Sequence, residues 1–328
     1  MGFTSTDELS TGTTAHGASS ATERIRHSRR RDMSQHSTMF IGLGAIGLPM
    51  AQRLHEAGIE ITGVDLSPDC RQRAQDLGLK AEASLDSAGS AATVIVMVAT
   101  GSQLDAVLHG SAGRSDTGLL SRMSEGSVLV VMSTVGPAAV RAAAQSARER
   151  GIACLDVPVT GGVSGVESGR LRLLASGDPD VLDSRRYLLD ALGTVIDCGA
   201  SVGDGQAFKV VNQLLCSVHI VAAAEALALA QRLGLDQQHV LAAMTAGAAE
   251  SWMLGDRGPR MLEGLDAEVR SAIGIFVKDT SLVAAEAADL DIELALLPVA
   301  EQKFAEAATA GLLDRDDSQV IRTYLTEG

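Results

Sequence analysis

Aromatic residues are scarce, with one Trp, two Tyr and five Phe in 328 residues, so this chain has no stacking platform for nucleic-acid bases. Basic charge is short too. Twenty-seven Lys and Arg face 41 Asp and Glu, a net charge of -14, which argues against a phosphate-backbone or anionic-membrane surface over most of the fold. The four cysteines, Cys70, Cys154, Cys198 and Cys216, are far apart and form no CxxC pair. That fits a reduced, cytoplasmic protein better than a disulfide framework or a zinc site. The seven histidines contain no HxH or HExxH spacing, so no metal is expected. The longest apolar run is broken by Asn212, Gln213, His219 and Glu225, and no segment is expected to span a membrane.

What is present begins with a tail. Residues 1–37 are rich in Ser, Thr, Gly and Arg, include RIRHSRRR at 24–31, and lack apolar periodicity, so they are expected to be disordered. Translation starting at Met33 or Met39 accounts for such a segment more simply than a DNA-tethering arm, since one Arg run is ordinarily solvated charge.

From Met39 the run MFIGLGAIGLPMAQRLHEAGIEITGVDLSP reads as strand, Gly-rich turn, helix and strand, with Gly42, Gly44 and Gly47 in GxGxxG register and Asp65 at the second strand end. Gly42 permits the tight turn, Gly44 lets the backbone approach a pyrophosphate, and Gly47 lets the helix pack on the strand. Phosphates then meet a helix N-terminus, whose free N–H groups and dipole favour negative charge. Asp65 suits the ribose hydroxyls of NAD and repels a 2′-phosphate, although Arg71 close by keeps NADP open.

Strands are expected at 92–99, 127–133, 152–159, 171–176 and 194–199, separated by helix-length segments. The fold class is therefore α/β, a Rossmann-type doubly wound parallel sheet over 38–199. Beyond Gly199 only helical patterns follow, giving an all-α domain over 200–328, and its lack of a large core of its own suggests a homodimer or homotetramer. Ligands in such sheets lie beyond the strand ends, where Val98-Ala99-Thr100, Ser133-Thr134 and Thr160-Gly161-Gly162 fall. The last of these places two glycine N–H groups and a hydroxyl where they can hold a carboxylate.

The helical part opens with one long helix, Gly203 to Leu233, apolar almost all round and expected to be buried. Phe208, Val211, Leu214, Leu215 and Val218 share one side, and Lys209, Asn212, Gln213 and Cys216 the other. A lysine kept from water has its pKa pushed toward neutrality, which makes Lys209 a candidate acid or base. Asn212 and Gln213, one turn on, are placed to hold its head and the substrate. His219 and Trp252 read as packing residues.

The order GLGAIGLPMA, MSTVGP, DVPVTGG, GDGQAFKVVNQ and FVKD resembles the β-hydroxyacid dehydrogenase family, which includes 3-hydroxyisobutyrate dehydrogenase and tartronate semialdehyde reductase. The resemblance runs from Met39 to the C-terminus. Within the family, NQLLCSVHIVAAAEALALA, ESWMLGDR, SAIGIFVKDTSLV and DDSQVI are most similar to the L-threonate dehydrogenase branch. The resemblance implies Lys209 as the catalytic lysine, and Ser133, Thr160, Gly161, Gly162, Asn212 and Gln213 as the substrate site. It implies Gly42, Leu43, Gly44, Ala45, Ile46, Gly47, Asp65, Val98, Ala99, Thr134 and Lys278 around the dinucleotide; Asp279, next in the chain, is expected to pair locally and orient Lys278. Val98-Ala99 stands where Leu-Pro is usual, Val131 where Asp is usual, and Thr160 where Ser is usual. The implied activity is NAD-dependent oxidation of a small hydroxy acid, a four-carbon sugar acid such as L-threonate. Alternatives are 3-hydroxyisobutyrate, tartronate semialdehyde, and a non-catalytic dinucleotide-binding assembly role. Imine reductase chemistry is disfavoured by Lys209.

Overall fold

A computed structural model describes residues 37–110 and 117–325, together with Met1; the expected disordered tail lies outside these apart from its two ends. β1 (Thr38–Ile41), α1 (Gly47–Glu56), β2 (Ile61–Val64), α2 (Pro68–Asp76), β3 (Lys80–Glu82), α3 (Leu85–Ala88), β4 (Thr93–Val96), α4 (Gly101–His109), β5 (Val128–Val131), α5 (Pro137–Arg148) and β6 (Ala153–Asp156) alternate along the chain. Short polar residues start the helices. Ser67 accepts from the Cys70 N–H before α2, Thr100 from the Gln103 N–H before α4, and Pro137 opens α5 with its φ preset.

The strands run β3-β2-β1-β4-β5-β6 and are all parallel. Strand order reverses between β1 and β4, so a crevice opens beyond their carboxyl ends, where Gly42 and Val98 lie. Along each strand the side chains alternate between two apolar layers. Phe40, Ile95, Val130 and Leu155 pack in one, and Met39, Ile41, Val94, Val96, Leu129 and Val131 in the other.

The expectation of a wholly parallel sheet fails at its far side. The segment read as one strand from 152 to 159 breaks at Val157-Pro158, because Pro158 has no N–H for a ladder. The chain turns there into β7 (Val159–Thr160), then α6 (Gly162–Glu167), β8 (Leu171–Ser176), α7 (Pro179–Ser184), α8 (Arg186–Leu192) and β9 (Gly193–Gly199). β8 runs antiparallel to β6 and β7 and parallel to β9. That turn aims Thr160 and the two glycines after it out of the sheet and toward the helices.

Five helices follow: α9 (Asp204–Arg232), α10 (Gln237–Thr245), α11 (Trp252–Glu263), α12 (Ile273–Asp289) and α13 (Leu297–Ala307), then a 3-10 helix at Asp317–Thr323. Contrary to expectation this part has its own core, in which Ile220, Ala224 and Leu227 of α9 meet Phe276, Phe304 and Val320. The Phe276 and Phe304 rings stack with centroids 5.0 Å apart.

The long helix lies where expected, and Lys209 is kept from water on it, but it is not buried all round in its first half. Its polar side, with Gln206, Lys209, Gln213, Cys216 and Ser217, is buried. Phe208, Val211 and Leu215 are 51%, 61% and 52% exposed, so the expectation of a helix buried all round does not hold for a single chain. The polar groups go inward because the sheet ends and α12 supply partners for them. By length and composition α9 does meet the requirement for crossing a membrane, correcting that expectation, yet 56% of its apolar window is buried inside the protein.

Candidate active site

The Gly42–Gly47 turn is built by close approach. Gly42 has φ +95°, and a Cβ there would lie 2.2 Å from the Met97 carbonyl oxygen; one at Gly47 would lie 2.0 Å from the Gly42 carbonyl oxygen. Around Gly44 nothing lies within 4 Å of such an atom, so the turn presents bare backbone to open space there. Among the described residues no acceptor takes the N–H of Ala45 or Ile46, which lead into α1. A pyrophosphate fits those unused donors and the dipole behind them.

Asp65 ends β2 and closes the turn. Its Oδ2 accepts from the Leu43 N–H at 2.7 Å and its Oδ1 from the Ser67 N–H at 2.8 Å. Each oxygen keeps a lone pair for a ribose hydroxyl. Leu43 itself has its side chain in the core, so only its backbone faces the turn. Arg71 Nη1 donates to the Asp65 and Leu66 carbonyls, both at 2.8 Å, which sets a guanidinium at the same edge.

Opposite the turn, Val98 donates its N–H to Ser133 Oγ at 2.7 Å, and Ala99 donates to Gln103 Oε1. Ser133 is 1% exposed and also donates to the Val96 carbonyl at 3.3 Å. Its hydroxyl thus ties two strand ends together and is buried between them. The Thr134 carbonyl accepts from Lys278 Nζ at 2.9 Å.

Lys209 is 7% exposed, and no hydrogen bond or ion pair engages its Nζ among the described residues. Burial is the largest influence and lowers its pKa; nearby Lys278 and Arg257 lower it further, while Asp279 and Cys216 act the other way. A largely buried amine with no hydrogen-bond partner among the described residues is poised to exchange a proton.

Asn212 and Gln213 do not hold the lysine head as expected. Thr160 Oγ1 donates to Asn212 Oδ1 at 3.2 Å, and Asn212 Nδ2 donates to Gln213 Oε1 at 2.8 Å and to Cys216 Sγ at 3.2 Å. Gln213 Nε2 donates to Asp279 Oδ2 in a short contact, and Asp279 Oδ1 lies 2.7 Å from Lys278 Nζ. One continuous polar chain therefore runs from Thr160 through Asn212, Gln213, Asp279 and Lys278 to Thr134. At its first end Gly161 has φ +121° and Gly162 φ +61°, and no acceptor among the described residues takes either N–H. Those two donors form a recess for an anion.

Several residues emerge only in three dimensions. Arg257 of α11 makes a two-pronged pair with Asp317 at 3.0 and 2.8 Å and reaches Asp256 at 2.7 Å; Arg260 pairs with Asp316 and Asp256, both at 3.0 Å. Asp256 Oδ1 accepts from Ser164 Oγ of α6 at 3.4 Å, tying this cluster to the Gly161–Gly162 segment. The signal in the sequence was the run DR..R before DD, too spread out to read without the fold. Trp252 is 53% exposed with the Arg257 guanidinium 5.5 Å from its ring, so it is not the packing residue expected. His219 is half-buried on α9. No cluster of three metal-ligating side chains occurs among the described residues.

Residues 37–203 match the family model described as the NAD-binding domain of 6-phosphogluconate dehydrogenase, and residues 203–324 match the NAD-binding domain of NADP-dependent 3-hydroxyisobutyrate dehydrogenase. L-threonate dehydrogenase of Cupriavidus necator is 37% identical over 286 residues, 87% of this chain and 94% of that protein. The crystal structure of 3-hydroxyisobutyrate dehydrogenase from Salmonella typhimurium superposes with a TM-score of 0.80 at 33% identity, over 88% of this chain and 99% of that one. The Mycobacterium tuberculosis 3-hydroxyisobutyrate dehydrogenase with L-serine gives 0.75 at 28% identity, over 89% and 99%. With NAD(P)-binding domains matched end to end and a Rossmann-like sheet joined to helices, this oxidoreductase belongs to the 3-hydroxyisobutyrate dehydrogenase-like family of hydroxyacid dehydrogenases.

Proposed function

We propose that the chain oxidises a small hydroxy acid with NAD, using Lys209 as general base, and that the acid is a four-carbon sugar acid such as L-threonate. The observation that carries the proton-transfer role is the buried Lys209 amine, without a hydrogen-bond partner, beside the polar chain that runs from Thr160 to Asp279. The chemistry a bound dinucleotide would supply is hydride acceptance from the carbinol carbon. Everything else falls to this chain's residues.

Gly161 and Gly162 donate to the substrate carboxylate with Thr160 alongside, which fixes the acid end. Lys209 Nζ takes the hydroxyl proton during oxidation and returns it in reduction, a contribution of about 10²- to 10⁴-fold. Asn212 and Gln213 keep the site polar and pass the orientation of Asp279 to Lys278. Gly42 to Gly47, Asp65, Val98, Ala99, Thr134 and Lys278 hold the cofactor, and Asp65 favours NAD. We assign the nucleotide-binding unit to 38–199 and the helical substrate unit to 200–328, in a cytoplasmic enzyme.

The exposed stripe of Phe208, Val211 and Leu215 supports a homodimer or homotetramer in which a second copy covers this side of α9.

L-threonate is favoured by the Cupriavidus relative, which carries that name at 37% identity. A second reading, 3-hydroxyisobutyrate, draws on the names of the solved relatives, one of them with L-serine, itself a compact carboxylate with a hydroxyl. Steady-state assays over L-threonate, D-threonate, 3-hydroxyisobutyrate, L-serine and glycerate, each with NAD and NADP, separate the two. The highest kcat/KM is expected for a four-carbon polyol acid with NAD. A clear preference for the branched, hydroxyl-poor acid would reject the sugar-acid assignment.

A further inference from the structure

A single fully buried amide joins the helix that carries Lys209 to the Ser133–Gly136 segment and to Asp156 at the end of β6. Gln206 lies three residues before Lys209, about 4.5 Å along the helix axis, and is 0% exposed. Every hydrogen-bonding position of its side chain is used. Oε1 accepts from the Val135 and Gly136 N–H groups, both at 3.0 Å. Nε2 donates to the Ser133 carbonyl and to Asp156 Oδ1, both at 2.9 Å.

The segment it grips is the one whose Thr134 carbonyl receives Lys278, and whose Ser133 hydroxyl receives the Val98 N–H. Gln206 is seated in turn on Asp156, at the end of β6. Asp156 Oδ2 accepts from the Gly203 N–H at 3.0 Å, the Gln206 N–H at 2.9 Å and Ser176 Oγ at 3.1 Å, so a buried carboxylate rests on the N-terminus of α9. No Gly or Pro lies between Gln206 and Lys209. A shift of the first turn therefore carries to the backbone of Lys209.

The geometry points to Gln206, seated on Asp156, as a positioning residue that sets the register of Lys209 against the Ser133–Gly136 segment, and hence against the nicotinamide. This rests on the reading of Lys209 as proton acceptor. Simple packing would be met by an apolar side chain of equal size, whereas three of the four groups that Gln206 satisfies belong to the backbone of this one short segment.

The test uses the full-length enzyme with NAD and L-threonate, measuring kcat, KM, the primary deuterium isotope effect with substrate deuterated at the carbinol carbon, and thermal midpoint. Gln206→Glu sets an acceptor against the Ser133 carbonyl and Asp156. It is expected to lower kcat by about 10²-fold, the order that a misplacement of about 1 Å costs. KM for the acid should stay within about threefold, and the isotope effect on kcat should rise as hydride transfer becomes the slow step. The double variant D156N/Q206E returns a donor to the pair with the same net charge, and should recover at least about tenfold of the lost kcat. Should Gln206→Glu fail to fold, Gln206→Met, neutral and of equal length, carries the same expectation.

A lower thermal midpoint with kcat and isotope effect unchanged would overturn the proposal, as would a loss confined to KM or a double variant no better than the single one. Lys209→Ala is measured alongside. Retained turnover there would overturn the acid–base reading and this proposal with it. Loss there, with an unaffected Gln206 series, would overturn the register role alone.

Discussion

Two sets of buried cations in the helical part are treated in opposite ways. Arg257 and Arg260, 6% and 7% exposed, are enclosed by Asp256, Asp316 and Asp317 with every contact between 2.7 and 3.0 Å. Lys209, buried to the same degree, has no such partner. In the first set the cost of removing charge from water is offset by close, directed pairing. In the second it is left standing, and the consequence is a lowered pKa. The difference separates charge that holds the fold from charge that can change during a reaction.

Removing Lys209 gives the largest expected effect. Lys209→Met should lower kcat by about 10²- to 10⁴-fold while NAD binding, followed by fluorescence quenching or calorimetry, persists. The same change should raise the thermal midpoint at neutral pH. Because the folded pKa lies below the unfolded value of about 10.4, the burial cost is complete below the folded pKa and fades as pH rises to the unfolded one. The stability gap between variant and wild type should therefore close toward high pH. A variant that is less stable than wild type at neutral pH would mean that the ammonium has a partner after all, and the contrast with Arg257 would fail.

Arg257→Leu probes the other side of the contrast. It leaves Asp317, 0% exposed, without its two-pronged partner and should cost about 3–5 kcal/mol in urea unfolding. It also removes one of the positive charges that lower the Lys209 pKa. The limb of the oxidation rate that rises with pH should consequently move to higher pH, since Lys209 must be neutral to accept the proton. Lost stability with an unmoved limb would show that the arginine cluster and the lysine are electrostatically separate.

How much of this could be read from the sequence depends on the range of the interaction. The GxGxxG turn and Asp65 were legible because strand, turn, helix and acidic residue lie within one local run, and the alternation of Val, Ile and Leu in β4 and β5 marked the sheet. Pro158 is the sequence's mark of the antiparallel far side, but a single proline weighs little in an eight-residue segment with six apolar residues. Lys209 stood out by composition. Its surroundings did not: Asn212 and Gln213 were read as its partners from helical spacing, but spacing cannot say that Asp279, 66 residues away from Gln213, competes for the same amide. Gln206 and Asp156, 50 apart, were beyond reach for the same reason. That only the polar side of α9 is covered by this chain is not legible from hydrophobicity, which cannot weigh a satisfied polar face against an apolar one.

That open side leads to the next prediction. If a second copy covers Phe208, Val211 and Leu215, then Val211→Asp places a carboxylate in an apolar interface and should weaken association by about 2 kcal/mol or more. Light scattering should show a shift toward smaller species, with the thermal midpoint depending less on protein concentration than in the wild type. An unchanged mass would mean that α9 is covered in some other way or stays open.

The smallest expected effect concerns cofactor choice. Both oxygens of Asp65 are engaged by backbone N–H groups, so Asp65→Ser removes a charge from the ribose site and also one tie that closes the Gly42 turn. Arg71 then remains as the nearest cation, already anchored on the Asp65 and Leu66 carbonyls. The ratio of kcat/KM for NADP to that for NAD should rise by about tenfold, equivalent to about 1.4 kcal/mol. Most of the change should come from lost NAD efficiency, because the loosened turn penalises both cofactors while only NADP is relieved of repulsion. The double variant D65S/R71A separates the two contributions: if Arg71 supplies the attraction, the gain for NADP disappears while the loss for NAD stays. A ratio that does not move in Asp65→Ser would confine Asp65 to bracing the turn, and the preference for NAD would then have to come from elsewhere at that edge.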